Sequence, residues 1–392
     1  MSSASQAAIA SVQQSKNAFC KFISANDAGE TGAHQAGFYM PKSTLPLMFD
    51  GPGVRGDNME RFVEIDWYDF QPTQSRFIYY GRGTRNEYRL TRFGKGFPFL
   101  QDENVGDLFI LAHTEGDQYA GFVLQTEEDI EDFFAAFNLS SEKTNALIER
   151  ENVITTENAL LQCFTAYVKS IPTDFPETRA LANHARQCFI DAHKKTVSHI
   201  QKAPDEELLN WVNAEFQLFK VFENDRYGQR IKTPFASVEE LVDMANTILN
   251  RRKSRAGKSL EHHLAEVFRV FNLTFDPQAV TEDNKKPDFV FPGARAYHDY
   301  AFDSSKLIVL ASKTTCKDRW RQILNEADRV PEKHLFTLQQ GISTNQLAEM
   351  YKYGVRLVVP RAYIDTFPKE FRDRLFTLDS FVRLVKEKQG IV

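Results

Sequence analysis

The sequence predicts two domains of different class: a mainly β, barrel-like domain over residues 1–138, a linker over 139–173, and an α/β domain over 174–392. Three observations carry this. A chain of 392 residues exceeds the roughly 100–200 residues of a single domain. Ten of the 19 glycines fall between residues 29 and 96, among short apolar runs. In the second half, extended apolar runs alternate with stretches of helical periodicity.

In chain order, Arg76-Phe-Ile-Tyr-Tyr, Leu108-Phe-Ile-Leu and Gly121-Phe-Val-Leu read as short strands separated by Gly, Asp and Pro. Many short strands with frequent turns suit a barrel or open barrel. Residues 127–137 form a closing helix. In the linker, Ser140-Ser141 and Pro172 flank one helical stretch, residues 157–168. Residues 205–222 and 237–250 read as amphipathic helices. Leu260, Leu264, Val267, Phe268 and Phe271 follow at i, i+4, i+7, i+8 and i+11, a third helical face. Pro287-Asp-Phe-Val-Phe and Leu307-Ile-Val-Leu-Ala are extended, and the next predicted helix places Trp320, Ile323, Leu324 and Ala327 on one face. His334-Leu-Phe-Thr-Leu and Val355-Arg-Leu-Val-Val are buried strands joined by a helix near 343–352. Strand, helix and strand of that length imply a parallel crossover.

Hydrophobic residues make up 42% and charged residues 26%, the balance of a folded soluble protein. The longest apolar stretches are far short of the ~20 residues of a membrane helix, and the N-terminus lacks the basic and apolar segments of a secretory signal. Cys20, Cys163, Cys188 and Cys316 lie far apart without a Cys-x-x-Cys pair. Their spacing predicts neither a zinc module nor a disulfide framework, and the expected location is the cytoplasm. The net charge of −5 argues against a uniformly basic coat, but the charge is segregated. Residues 76–95 hold six basic side chains against Glu87, residues 251–258 hold five against none, and residues 313–321 hold four against Asp318. These 37 positions carry +13 and the remaining 355 carry −18. Such clusters suit a surface that tracks phosphates.

The chemistry concentrates at Pro287-Asp288, opening one strand, and Lys313, closing another. A carboxylate holding a divalent cation beside a scissile phosphate, with a lysine serving the attacking water, is the skeleton of a metal-dependent nuclease. The common nuclease pattern has an acid two residues before the lysine, where this chain has Ala311. Glu326 and Glu261 are the candidate replacements. Other motifs read as structural. Gly257-Lys-Ser259 lacks the first glycine of a phosphate loop, because position 252 is Arg. His262 and His263, adjacent in sequence, face different sides of a helix, and Tyr297-His298-Asp299 lacks a nucleophile motif.

Three segments make the pattern specific: Asn250-Arg-Arg-Lys-Ser-Arg-Ala-Gly-Lys-Ser-Leu-Glu261, Asn284-Lys-Lys-Pro-Asp288-Phe, and the run from Lys313-Thr-Thr-Cys-Lys-Asp-Arg-Trp to Glu326-Ala-Asp. With Ser24-Ala-Asn-Asp-Ala-Gly, His34-Gln and Thr84-Arg-Asn-Glu in the first half, they closely resemble the EcoRII-type (type IIE) restriction endonucleases. The resemblance implies a C-terminal PD-(D/E)XK restriction-endonuclease fold and an N-terminal β pseudobarrel related to plant DNA-binding barrels. It implies Mg²⁺ held by Asp288 and Glu326, Lys313 serving the attacking water, and Glu261 supporting the site. Lys317, Asp318 and Arg319 would read C:G pairs in the major groove, where Lys and Arg donate to guanine and Asp accepts from cytosine. At the family's flipped-base position this chain has Val212 and Phe216, with Trp211 adjacent; Phe216 retains a stacking face. His34, Tyr39, Arg76, Arg85, Glu87 and Arg89 match the positions that contact a second copy of the site in the N-terminal domain. That domain, when empty, would block the catalytic cleft. The implied partners are double-stranded DNA in two copies, a second identical chain and a cognate DNA methyltransferase. Two rival readings are a catalytically inactive DNA-binding regulator and a non-specific repair nuclease.

Overall fold

A computed structural model describes residues 2–29, 37–149, 158–171, 174–317 and 319–391. The chain divides into two compact units: one of Met1–Arg150 with Gln339–Glu349 and Tyr363–Arg374, the other of Glu151–Leu338 with Met350–Ala362 and Leu375–Val392.

The first unit contains α1 (Ser3–Gln14), β1 (Asn17–Phe22), β2 (Phe38–Met40), α2 (Leu45–Met48), β3 (Met59–Trp67), β4 (Thr73–Tyr80), β5 (Glu87–Thr91), β6 (Leu108–Glu115), β7 (Gln118–Leu124), α3 (Glu127–Phe137) and β8 (Ala146–Leu147). The strands form one eight-stranded sheet in the order β2-β5-β4-β3-β7-β6-β1-β8. It is antiparallel throughout except where β3 runs parallel to β7. One face encloses an aromatic core in which Phe38 stacks on Phe109 at 3.8 Å, with Trp67, Phe93 and Phe97 around them. On the other face of β1, β6 and β7, residues Cys20, Phe22, Ile110 and Phe122 meet Ala8 and Val12 of α1 and Ile130 and Phe133 of α3. β6 is therefore buried on both sides, which is why Leu108-Phe-Ile-Leu is apolar without alternation. Gly121 of β7 sits opposite Trp67, and a Cβ there would come within 2.6 Å of the indole. The helix expected over residues 127–137 is α3, capped by Thr126 at its start and by left-handed Asn138 at its end. α1 is a helix that the sequence reading did not propose.

The second unit contains α4 (Asn158–Ser170), α5 (Thr178–His193), α6 (Val197–Lys202), α7 (Pro204–Tyr227), α8 (Val238–Val270), β9 (Asp276–Pro277), β10 (Phe289–Phe291), α9 (Ala294–His298), β11 (Ile308–Lys313), β12 (Lys333–Thr337), β13 (Val355–Val358) and α11 (Leu378–Gln389). α10 (Thr344–Lys352), joining β12 to β13, runs from the first unit's residues into the second's. The sheet order is β13-β12-β11-β10-β9. β11, β12 and β13 are parallel, as the expected crossover requires, and β10 is antiparallel to β11.

Three expectations need correction. The helices expected at 237–250 and 260–271 are one 33-residue helix, α8, and the basic run 251–258 is its middle. No proline separates the two periodic stretches, and a lone Gly257 is tolerated inside a helix, so the helix continues through the run. Gly257-Lys-Ser259, read above as structural, lies within this helix. Among the described residues between β11 and β12 there is no α-helix, only a 3₁₀ segment over Trp320–Asn325, and Glu326 caps its end instead of lying on a helix face. Trp320, Ile323 and Ala327 are buried as expected, but Ala327 adopts φ 54°, which breaks the helical path. Tyr297 and His298, expected in a loop, end the short helix α9.

α7 is buried on nearly every side, and its buried acids are each partnered. Glu207 meets Lys195 at 2.6 Å, Glu215 accepts from Ser259 at 2.8 Å and lies 2.9 Å from His263, and Glu223 meets Arg252 at 2.7 Å. His263 is thus a core histidine, and burial holds its pKa below the usual range. His262 instead faces Thr178 at 3.1 Å, so the two histidines do diverge.

Candidate active site

The antiparallel register of β10 and β11 pairs Phe289 with Leu310, so Asp288, one residue before β10, falls beside the end of β11. Its Oδ2 accepts from the Ser312 backbone N–H at 2.7 Å and from the Ser312 hydroxyl at 3.1 Å. Its Oδ1 accepts from the Gln278 amide at 2.8 Å. The same Gln278 nitrogen donates to Glu261 on α8 at 3.2 Å, linking the two carboxylates. Gln278 reaches this point from a left-handed backbone, φ 53°, just past β9. Lys258, one helical turn before Glu261, donates to both of its oxygens at 2.9 and 3.0 Å.

Glu326 joins the same field. Burial first, then the Asp288 charge, pushes its pKa up, while Lys313, Lys333 and Lys285 pull it down. Glu261 behaves alike: burial and then Asp288 raise it, against Lys258 and Lys313. Both carboxyls end above their ordinary values. Asp288 therefore lies at the centre of a cluster of like charge whose shared cation is Lys313, at the end of β11. Like-charged carboxylates held together disfavour ionisation unless a cation intervenes. The donor set fits a hard divalent cation that takes one or two carboxylates and completes its shell with water and phosphate oxygens.

The segment carrying Glu326 is pinned from behind. Tyr297 donates its hydroxyl to Glu282 at 2.6 Å, Glu282 accepts the Asp328 N–H at 3.2 Å, and Arg329 donates to the carbonyls of Tyr297, Asp299 (3.1 Å) and Phe302 (3.3 Å). Gln278, Ser312, Lys333 and this Glu282–Tyr297–Arg329 brace were not found from the sequence. Of the triplet at 297–299, Tyr297 holds this segment through Glu282 and the Arg329 N–H.

Among the other expected residues, Lys317 is 8% exposed and Arg319 is half-buried, while Asp318 lies outside the described residues. Phe216 is buried in α7, with the Arg255 guanidinium 5.1 Å and the Lys220 ammonium 4.8 Å from its ring. Val212, one turn earlier, is buried as well.

In the first unit, strand register gathers the expected contact residues. Tyr39 of β2 pairs with Arg89 of β5, which pairs with Ile78 of β4. Phe38, Phe77, Tyr88 and Leu90 point into the aromatic core, so Tyr39, Arg76, Glu87 and Arg89 share the opposite face. Arg89 reaches Glu87 at 3.2 Å and the Gly37 carbonyl at 3.2 Å, and Arg76 pairs with Glu60 at 2.9 Å. Burial raises the Tyr39 phenol, Glu87 adds to this, and Arg89 opposes it. Arg85, in the turn between β4 and β5, is exposed and lies over Tyr80 at 5.2 Å. His34 lies outside the described residues.

Comparison with known proteins fixes the family. The family described as EcoRII C terminal matches residues 219–382, and Restriction endonuclease EcoRII, N-terminal, matches residues 12–144. The type II restriction enzyme EcoRII of Escherichia coli is 37% identical over 382 residues, 93% of this chain and 92% of that protein. The chain belongs to the EcoRII family of type II restriction enzymes. The EcoRII match spans both halves, so the mainly β N-terminal half and the C-terminal restriction-endonuclease fold expected from the sequence are those of this chain. The type II restriction enzyme SsoII of Shigella sonnei is 24% identical over 157 residues, 38% of this chain and 50% of that protein. Among solved structures, metal-depleted Ecl18kI with uncleaved modified DNA is 19% identical with a TM-score of 0.46, covering 59% of this chain and 84% of its own. A complex of restriction endonuclease PspGI with substrate DNA is 16% identical with a TM-score of 0.45, covering 55% and 94%. Among the described residues no helix is long and apolar enough to cross a membrane.

Proposed function

We propose that this EcoRII-family enzyme hydrolyses phosphodiesters of double-stranded DNA at a short CC–GG-flanked site, with Mg²⁺, as a homodimer. A second copy of the site, bound at the first unit, activates it. The observation that carries the catalytic part is the gathering of Asp288, Glu261 and Glu326 around Lys313. Asp288 and Glu326 are the residues to hold Mg²⁺, which when bound supplies charge stabilisation at the scissile phosphate. Lys313 orients the attacking water and offsets charge that builds on the phosphate oxygens in the transition state. Glu261, tied to Asp288 through Gln278, fixes the orientation of that carboxylate and adds negative potential for the cation.

Lys317, Asp318 and Arg319 supply base readout. Lys317 must turn outward to do so, and its burial supports a resting state in which readout is withheld. Phe216 would likewise have to be uncovered from Arg255 before an extrahelical base could stack on it. Tyr39, Arg76, Arg85, Glu87 and Arg89, with His34, form the effector face; four of the described five lie on one side of three adjacent strands. Cutting both strands of a symmetric site calls for two active sites. The apolar positions Val238, Leu241 and Val242, exposed along α8, are surface that a second copy would cover. A cognate methyltransferase would protect host sites.

Plasmids carrying one or two CC–GG-type sites, digested with Mg²⁺, test the proposal. The two-site plasmid is expected to be cut faster. No cleavage of either plasmid by a chain that binds both would overturn the catalytic reading, and equal rates would remove the effector.

A further inference from the structure

The cysteines depart from the sequence expectation. Cys163 of α4 and Cys188 of α5 form a disulfide with Cα atoms 5.9 Å apart, while Cys20 and Cys316 are buried and separate. A disulfide needs only its two sulfurs, yet a third donor is present. His184 lies four residues before Cys188, on the same face of α5, and its donor nitrogen and the two sulfurs all lie within 4.8 Å of one another. Among the described residues no other group of three or more His, Cys, Asp or Glu side chains closes to this degree. Tyr167, four residues after Cys163 on α4, stacks on the His184 ring at 3.5 Å and 12°, fixing the imidazole plane. Cys188 is buried, but Cys163 and His184 are half-buried, so solvent reaches the group.

We propose that Cys163, Cys188 and His184 form a binding site for a soft divalent cation of the zinc type when the thiols are reduced, and that the disulfide is its oxidised, cation-free form. Zinc bonds of roughly 2.3 Å to sulfur and 2.0–2.1 Å to nitrogen place tetrahedral ligand atoms about 3.5 Å apart. The three donors reach that spacing by side-chain rotation, leaving the fourth position to water. Thiolate and imidazole are soft and borderline donors, unlike the carboxylates at Asp288, so the two sites select different metals. In the redox step the two cysteine thiolates give two electrons to a low-molecular-weight disulfide. The Cys163–Cys188 bond forms, the reagent's S–S bond breaks, its two sulfurs take two protons from solvent as thiols, and the cation is released. Either state ties α4, which lies within the linker expected over 139–173, to α5.

The test uses the full chain, stripped of metal and reduced with a phosphine, titrated with Co²⁺. Thiolate-to-cobalt charge-transfer absorption is expected at one ion per chain, and carboxylate-bound Co²⁺ elsewhere does not produce that band. Zn²⁺ should displace the ion, and oxidised glutathione should release it while two free thiols disappear. Cys163→Ser and Cys188→Ser should abolish the band. His184→Ala should weaken binding by roughly a hundredfold, at or beyond the upper end of what loss of a supporting ligand costs. If a cysteine variant fails to fold, His184→Ala and His184→Gln, checked by circular dichroism, carry the test. Absence of the band in reduced protein, or a band unchanged by His184→Ala, overturns the proposal. The outcome is independent of DNA cleavage.

Discussion

The two units handle charge in opposite ways. On the strand face of the first unit, cations are matched to acids: Arg76 diagonally to Glu60 across β4 and β3, and Arg89 to Glu87 along β5. Each pair satisfies itself, and pairing also fixes where the donors point. In the second unit, Asp288, Glu261 and Glu326 are brought together so that two of the three resist ionisation. Lys258, Lys313 and Lys333 offset this only in part. The contrast separates a face whose charges are paired within the unit from a cluster in which burial and the Asp288 charge oppose ionisation.

The largest expected effect is at the centre of the second site. Lys313→Ala should lower the rate of plasmid cleavage by roughly a thousandfold, the scale of a lost transition-state donor, with DNA affinity by filter binding changed only a few-fold. Comparable loss of both would mean that Lys313 organises the unit and does not serve the chemistry. The next effect concerns a buried base of the same unit. His334, packed on Phe376 and Phe381, has its pKa pulled from 6.5 to about 4, by burial first and by Arg356 second. Above pH 6.5 neither state carries the proton, and the full stability is present. As pH falls from 6.5 towards 4 the unfolded chain gains the proton and the folded one resists it. About 3 kcal/mol should be lost across that window. His334→Phe should flatten urea midpoints measured between pH 7 and 4; an unchanged slope would assign the acid lability elsewhere.

Arg89→Ala tests the first unit. It leaves Glu87 without its cation and the Gly37 carbonyl without its donor, and should cost ~2 kcal/mol, between exposed and buried pairs, read as faster hydrogen exchange in β4 and β5. The smallest effects are the sharpest comparison. Glu326→Gln should stabilise the metal-free second unit by about 1 kcal/mol while reducing cleavage, whereas Glu87→Gln should destabilise the first unit by about 1 kcal/mol. Hydrogen exchange of the two sheets reads both, and the same sign in both would dissolve the contrast.

What was legible in the sequence follows from range. Periodicity is local, so α3, α7, the strands β6 and β12 and the β12–β13 crossover could be read directly. Asp288 and Lys313 could be paired because one opens a strand and the other closes the next. Gln278 could not be anticipated: its role depends on a left-handed residue beside β9 that carries its amide to two carboxylates from other elements. Glu326 was assigned from family resemblance but placed on the wrong kind of structure, because the turn at Ala327 opposes that residue's own helical preference. The Cys163–Cys188 contact likewise depends on how two helices pack, and spacing along the chain does not report it.

α8 has a mechanical aspect. Thirty-three residues at 1.5 Å each make a rod about 50 Å long. It is gripped where Arg255 lies over Phe216 and where Ser259 and His263 meet Glu215. Glu261 lies within that grip, between Ser259 and His263, and is tied to Asp288 through Gln278; beyond the Arg252–Glu223 pair the Val238 end extends about 20 Å. A tilt of ~5° about the grip moves the far end by about 2 Å and Glu261 by under about 1 Å. Any load on the outer arm is therefore absorbed at the grip, and the carboxylate cluster feels only a small fraction of that arm's displacement.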